Sequence, residues 1–368
     1  MRISTRWLGA AGALAVLAGL ALAPATSGNA ATHTVSPGQS IQDAIDGAAD
    51  GDTILIQPGT YAEDLVINGR TGLTIKGTAE GVVIAPPVDT SCGGFGICVF
   101  SSLGVRLERL TVQGFAAGVV ILFTPSAHVR DVRAINNGVG ILAGEADNLV
   151  LYRNTVLGSG ENGIEVLASA SVNLRLNRTN DNDYGIHLQE VTGATLESNT
   201  SNENCAGIVV QDSSAIQLLN NTTHNNTSVC ETAAETGPEA AEEAPALLFS
   251  GIGILIWDSG EVEVRGNSIR GNRSSVEMEA QEYVNDVHAP SGGLVVWLPE
   301  VEEEGVGPAQ VAYGTDIVTS ANFFNKNDVD MHWGDGPGTG SSGTQNRCKS
   351  SMKSFPSGYC NFAEIPAP

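Results

Sequence analysis

Residues 185–226 read GIHLQEVTGATLESNTSNENCAGIVVQDSSAIQLLNNTTHNN. The stretch says the same thing twice. Gly185-Ile186-His187-Leu188 returns 22 residues later as Gly207-Ile208-Val209-Val210. Asn199 returns as Asn221, and Asn204 as Asn226.

Outward from this stretch the pattern begins again at Gly96, Gly118, Gly140 and Gly163, in steps of 22 or 23. Past Gly207 it resumes at Gly253 and Gly293, after one period plus inserts of 24 and 18 residues. A last, degenerate copy starts at Asp328. A period this regular marks a solenoid. After each glycine apolar residues alternate, as in Ile164-Glu165-Val166 and Ile254-Leu255-Ile256. That is a short strand with one buried face. A second strand ends before an asparagine, at Leu151, Leu174, Leu196 and Leu218, and a third follows it. No segment has a helix's period and length. The expected fold is all-β, a right-handed parallel β-helix of about 22 residues per coil.

The asparagines fall in two columns. The first reads Leu110, Val132, Asn154, Asn177, Asn199, Asn221, Asn267 and Asn322. The second reads Asn137, Ser159, Asn182, Asn204, Asn226, Asn272 and Asn327. Coils stack about 4.8 Å apart. Amides at that spacing can hydrogen-bond up the stack, and asparagine tolerates tight turns. The N-x-[ST] matches at Asn177 and Asn221 are then a by-product of the repeat.

Residues 1–30 read as a signal peptide. Arg2 and Arg6 precede an apolar run over residues 7–23, and Gly28-Asn29-Ala30 supplies a small-residue cleavage site. A retained anchor is the weaker alternative, because the run is short. The protein is therefore expected to be secreted, without membrane insertion after cleavage. Removing residues 1–30 leaves 16 basic against 41 acidic residues, a formal charge of −25. Such a surface disfavours nucleic acid and anionic membranes, and makes a strongly anionic polymer an awkward substrate unless a cation bridges the two. The β-helix is placed at residues 31–333, with acidic inserts at 227–250, 274–291 and 299–312. Residues 334–368 are read as a C-terminal cap. The six cysteines suggest disulfides, paired by proximity as Cys92–Cys98, Cys205–Cys230 and Cys348–Cys360. Metal binding is the weaker alternative, since no CxxC spacing occurs. Residues 40–45 suit a short capping helix, with Ser40 and Asp43 in capping-box spacing.

The opening Val35-Ser36-Pro37-Gly38-Gln39-Ser40-Ile41-Gln42-Asp43-Ala44-Ile45, then Gly51-Asp52-Thr53-Ile54 and Pro58-Gly59-Thr60-Tyr61, resembles pectin-lyase-like right-handed β-helix proteins. These include polysaccharide lyases, mannuronan C5-epimerases and the periplasmic accessory protein of nitrous oxide reductase. The resemblance implies the fold, and a ligand site along the first sheet beneath inserted loops. It does not imply one reaction, because the fold hosts many. The epimerases' Asp-Pro-His-Asp is absent; the nearest string, Asn285-Asp286-Val287-His288-Ala289-Pro290, has another order. The polygalacturonases' Gly-His-Gly is absent too.

Alternation gives the outward positions of the first strand. The second place after glycine holds Val120, Leu142, Glu165, His187, Val209, Leu255, Val295 and, by alignment, Asp330. The fourth holds Leu122, Gly144, Leu167, Gln189, Gln211, Trp257, Trp297 and His332. Trp257 and Trp297, with Gln189 and Gln211, are candidate sugar-binding residues; packing under the inserts is the equal alternative. One place on, Glu190, Asp212 and Asp258 form a carboxylate column. They are candidates for a Ca²⁺ site or for acid/base work, against the plainer role of turn residues. His187 or His332 would be the base. No Lys or Arg occupies these outward positions. Three functions follow: a carbohydrate-binding or carbohydrate-processing protein, a non-catalytic envelope protein, or a metal-linked accessory protein. The third is weakened by four scattered methionines.

Overall fold

Each coil buries a narrow apolar stripe on three faces, and stacking makes those stripes continuous. The computed structural model describes residues 30–231, 248–274, 292–297, 316–327, 330–333, 341–348 and 360–362. Its strands fall into two twelve-stranded sheets and one ten-stranded sheet, with successive coils paired in parallel. The repeat glycines start the ten-stranded sheet, whose register runs Ile164↔Ile186, Ile186↔Ile208, Ile208↔Ile254 and Ile254↔Leu294. Residues 46 and 40 apart in sequence are thus neighbours on adjacent coils. The first insert is rooted by an antiparallel pair, Val229–Glu231 with Leu248–Ser250. Residues 1–29, 232–247, 275–291 and 298–315, which hold most of the signal segment and of the inserts, lie outside the described residues.

One apolar core runs along the axis from Val35 through Ile97, Ile141, Ile186, Ile208 and Ile254 to Phe324. Two asparagine ladders edge it. The Asn199 amide nitrogen donates to the Asn221 side-chain oxygen at 3.0 Å and to the Leu174 carbonyl at 2.9 Å. Its oxygen accepts the backbone N–H and the side-chain amide of Asn177, at 2.9 and 3.0 Å. Every hydrogen-bonding position of a buried amide is used, as the low-dielectric interior demands. The ladder reaches one rung beyond the expected column, to Asn346 at 2.9 Å from Asn322. The second ladder closes on Asp330, which accepts from Asn327 at 3.1 Å.

A third ladder carries no sequence periodicity conspicuous enough to flag it. Ser102, Thr124, Ser169, Ser213 and Ser259 sit at the exit of the ten-stranded sheet. Each hydroxyl donates to a carbonyl two residues back and accepts an N–H from an earlier coil, as Ser213 does for Val191 at 2.9 Å. The residue before each is left-handed: Ser101, Phe123, Ala168, Asp212 and Asp258 have φ between 43° and 48° or 52°. The corners are built by backbone and ladder together, not by glycine.

The first coil is closed by the helix Ile41–Gly47, with Ile41 and Ile45 buried. Ser40 caps it, its oxygen accepting the Asp43 N–H at 3.1 Å. The other free N–H groups are met from the body of the protein. Glu63 accepts from Ile41 at 2.8 Å and from Gln42 at 3.2 Å. At the far end the array does not stop at Trp333. Ser342–Thr344 pairs with Val318–Ser320, and Asn346–Cys348 with Cys360–Phe362, so part of the expected tail continues the sheets. Cys92–Cys98 and Cys205–Cys230 are disulfides. Cys348 is also oxidised, while the side chain of Cys360 lies outside the described residues.

Candidate functional site

Most outward positions of the ten-stranded sheet are as dry as the core. Val120, Val209, Leu255 and Val295 are buried. They belong to two apolar patches outside the coil. One is centred on Ala117, Val120 and Val139, with Phe95, Phe100, Leu122 and Leu142 on it. The other surrounds the Cys205–Cys230 disulfide with Val209, Ile252, Leu255 and Val295. Between the patches, on two adjacent coils, the same column holds Glu165 and His187, in register. Both are buried, at 7% and 5% exposure.

These side chains form a line across the face. Glu165 Oε1 lies 3.6 Å from His187 Nδ1. His187 Nε2 lies 3.3 Å from Gln211 Oε1. Gln211 Nε2 donates to Asp212 Oδ2 at 3.2 Å. An ionised carboxylate only accepts, so Asp212 turns the Gln211 amide and points its carbonyl at the histidine. His187 Nε2 must then carry a hydrogen. Nδ1 is buried and makes no hydrogen bond. The Tyr184 ring meets the imidazole edge-on, 5.4 Å between centroids. Burial pushes the Tyr184 hydroxyl pKa far up, with Asp183 adding to it.

The carboxylate column exists. Glu190, Asp212 and Asp258 are exposed and stand on consecutive coils at left-handed corners, with φ of 56°, 48° and 45°. Partial burial of its carboxyl, then the charges of Asp258 and Glu190, hold Asp212 above the usual carboxylate range, while the Gln211 donor pulls it down. As a Ca²⁺ site the column does not fit. Among the described residues no three His, Cys, Asp or Glu side chains converge on a metal position. The Gln211 amide donates to Asp212 at 3.2 Å, and the Asp258 carboxylate also faces it. All three stand at turns, and the N–H groups of Glu190 and Asp212 bond the next coil, at 3.1 Å to the carbonyls of Gln211 and Trp257.

Trp257 and Trp297 are in register on adjacent coils. Trp257 is half-buried against the apolar patch at the disulfide. The side chain of Trp297 lies outside the described residues. Gln189 is half-exposed beside Gln211. The final coil needs a correction. Val295 pairs with His332 and Leu294 with Met331, so His332 stands in the column of His187 rather than in that of Trp257. Asp330 takes the glycine position and is buried. The degenerate copy has two residues more before its strand than a count from Asp328 allows. The His332 side chain is outside the described residues. Glu165 was visible in the column, but only its burial beside His187 marks it as part of a site.

Residues 117–297 match the family described as right handed beta helix region. The fold is a right-handed parallel β-helix. No curated protein matches the chain. Among solved structures it is similar to the A-module of mannuronan C-5 epimerase AlgE4 of Azotobacter vinelandii, with a TM-score of 0.59 at 15% identity over 88% of this chain and 94% of that one. For the AlgE6 A-module of the same organism the TM-score is 0.50 at 17% identity, over 83% and 94%. For the DFA-IIIase of Arthrobacter chlorophenolicus A6 it is 0.50 at 13% identity, over 83% and 85%. At these identities the likeness is one of fold.

Proposed function

We propose that this is an exported protein that binds or processes polysaccharide in the groove along the outer face of the ten-stranded sheet. The observation that carries it is the line Glu165, His187, Gln211, Asp212 across that face. Neighbouring coils place Val or Leu where Glu165 and His187 stand, and packing alone gives no reason for two buried polar side chains there. The solved structures of the same fold include epimerases named for mannuronan, which supports a glycan as ligand.

His187 is the base. Gln211 holds hydrogen on Nε2, so Nδ1 carries the lone pair of the ring. Asp212, whose pKa partial burial and then the charges of Asp258 and Glu190 hold above the usual carboxylate range, is the carboxyl at the groove's edge that orients Gln211. Trp257 supplies the apolar wall on which a sugar ring stacks. No Lys or Arg occurs in the outward positions or in residues 232–247, 275–291 and 298–315. Nothing there neutralises a uronate, so a neutral glycan is the ligand class.

The Trp257 contact with the disulfide patch favours a second reading, a non-catalytic envelope protein in which these groups only pack. A panel of neutral and acidic polysaccharides, with and without Ca²⁺, separates the two. The proposal expects binding or turnover of a neutral member, lost in His187→Ala and in Gln211→Leu. A panel with no neutral hit, or a neutral hit that both variants retain, sinks it.

A further inference from the structure

The molecule's charge is unevenly placed. In each coil the two twelve-stranded sheets meet at the first asparagine ladder, across the coil from the groove. Over four coils this corner is basic, although the whole chain carries −23. Arg130 and Arg175 stand in one column with Tyr152 between them. Arg133 and Arg178 stand in the next column, with Thr155 between. Each pair is two coils apart, about 9.6 Å at ~4.8 Å per coil. Arg153 sits at the corner in the middle, its guanidinium 5.3 Å from the Tyr152 ring centroid. All five arginines are exposed.

The local acids do not cancel this. Glu108 is shared by Lys76 at 3.1 Å and Arg130 at 3.2 Å. Asp131 pairs with Arg153 at 2.7 Å, and Glu197 with Arg175 at 3.2 Å. Among the described residues Arg133 and Arg178 have no carboxylate within ion-pair distance. Two guanidiniums without a carboxylate partner, in line on an exposed face, leave a positive strip that no local acid cancels.

We propose that this corner is a second binding surface, separate from the groove, for an anionic polysaccharide lying along the solenoid axis. Charge complementarity supplies the attraction. The regular spacing of the columns suits a linear polymer, which presents the same group at fixed intervals. Tyr152 offers a face for a sugar ring, and Arg153 already stacks on it. Nucleic acid is the poorer occupant. Its one charge per ~1.7 Å of duplex axis meets the field of a protein at −23, whereas a glycan with one charge per sugar is repelled far less. The groove, which lacks cations, makes no contribution to this binding.

The test uses the full chain and polygalacturonate as probe, with a neutral glucan and a single-stranded DNA oligonucleotide as comparators, in low salt. Binding of polygalacturonate that weakens with added salt and falls about tenfold in Arg133→Ser/Arg178→Ser supports the proposal. Neither arginine holds an ion pair, but Arg178 meets the Asn180 amide at 3.2 Å, so melting is measured beside binding and Arg133→Ser alone is the fold-neutral comparator. Three results overturn the proposal. The first is no polygalacturonate binding, and the second is binding that the double variant keeps. The third is DNA held as tightly as polygalacturonate. Self-association at low salt that the variant abolishes, without glycan binding, would assign the corner to a second copy.

Discussion

At the scale of single residues, a side chain in this protein is judged by what its column holds in other coils. Asn199 is a case where the column is consistent. Leu at this place would fit, since Leu110 fills the same position in an earlier coil and is buried. The loss would be one of hydrogen bonds. Asn199→Leu removes the acceptor for the Asn177 N–H and side-chain amide and the donor to Leu174. We expect about 1–3 kcal/mol for each buried group left unpaired, read as a lower urea midpoint. A parent-like midpoint would mean that the ladder contributes nothing. Glu165 and His187 are the opposite case, a pair that breaks its column. Replacing them by the residues that neighbouring coils carry, as Glu165→Leu/His187→Val, should leave stability unchanged or raise it by about 1–4 kcal/mol. Glycan binding should be lost. A double variant that unfolds early would show that the pair is structural.

At the scale of elements, the glycine that opens each strand is needed for space. Gly207 and Gly253 are not left-handed. A Cβ on Gly207 would lie 2.5 Å from the Gly253 carbonyl oxygen and 2.8 Å from the Asn226 amide. Both neighbours are fixed, one by backbone and one by the second ladder. Gly207→Ala should therefore cost about 1–3 kcal/mol, as overpacking does. The same change at Gly160, where a Cβ meets nothing within 4 Å, should cost little. Equal melting of the two variants would refute this account. The glycine and asparagine clock was legible in the sequence because both residue types do work that few others can. It carried the register across both inserts, so that Gln211, Trp257 and Trp297 were aligned before their strands were known. Legibility ended where the work is shared with the backbone. The hydroxyl ladder skips to Ala146 and Val191 in alternate coils, which need only offer an N–H. The left-handed corners accept Arg109, Leu176 and Asn220 alike, so no residue type announces them. The last strand was misplaced by two residues because Asp330, not glycine, occupies its start. Glu165 and His187 could be assigned to one face, but no pattern of alternation says that two outward side chains are dry.

At the scale of the whole molecule, a solenoid is weakest at its ends, where a coil has one neighbour instead of two. The first coil is held by Asp52. Its carboxylate accepts the Ala31 N–H at 2.7 Å, the Ala49 N–H at 2.9 Å and His33 Nε2 at 2.8 Å. It thus ties the first strand to the exit of the capping helix. These donors, His33 first, lower its pKa from 3.8 to about 2. A carboxyl whose pKa falls on folding stabilises the protein above the unfolded value, and that contribution disappears as pH drops through the folded one. The share due to Asp52 should therefore be intact at pH 5, decline below about pH 4 and be gone below about pH 2. Asp52→Asn should melt earlier than the parent at neutral pH, and the two curves should converge as the acid limb is descended. Loosening this end also uncovers the edge strands Thr32–Val35 and Gly59–Ala62, which start two sheets and could pair with another chain. Concentration-dependent growth in size, seen by light scattering at acid pH, should thus begin at a higher pH in Asp52→Asn than in the parent. Parallel melting curves with a constant gap down to pH 2 would show that Asp52 is not the group that fails first.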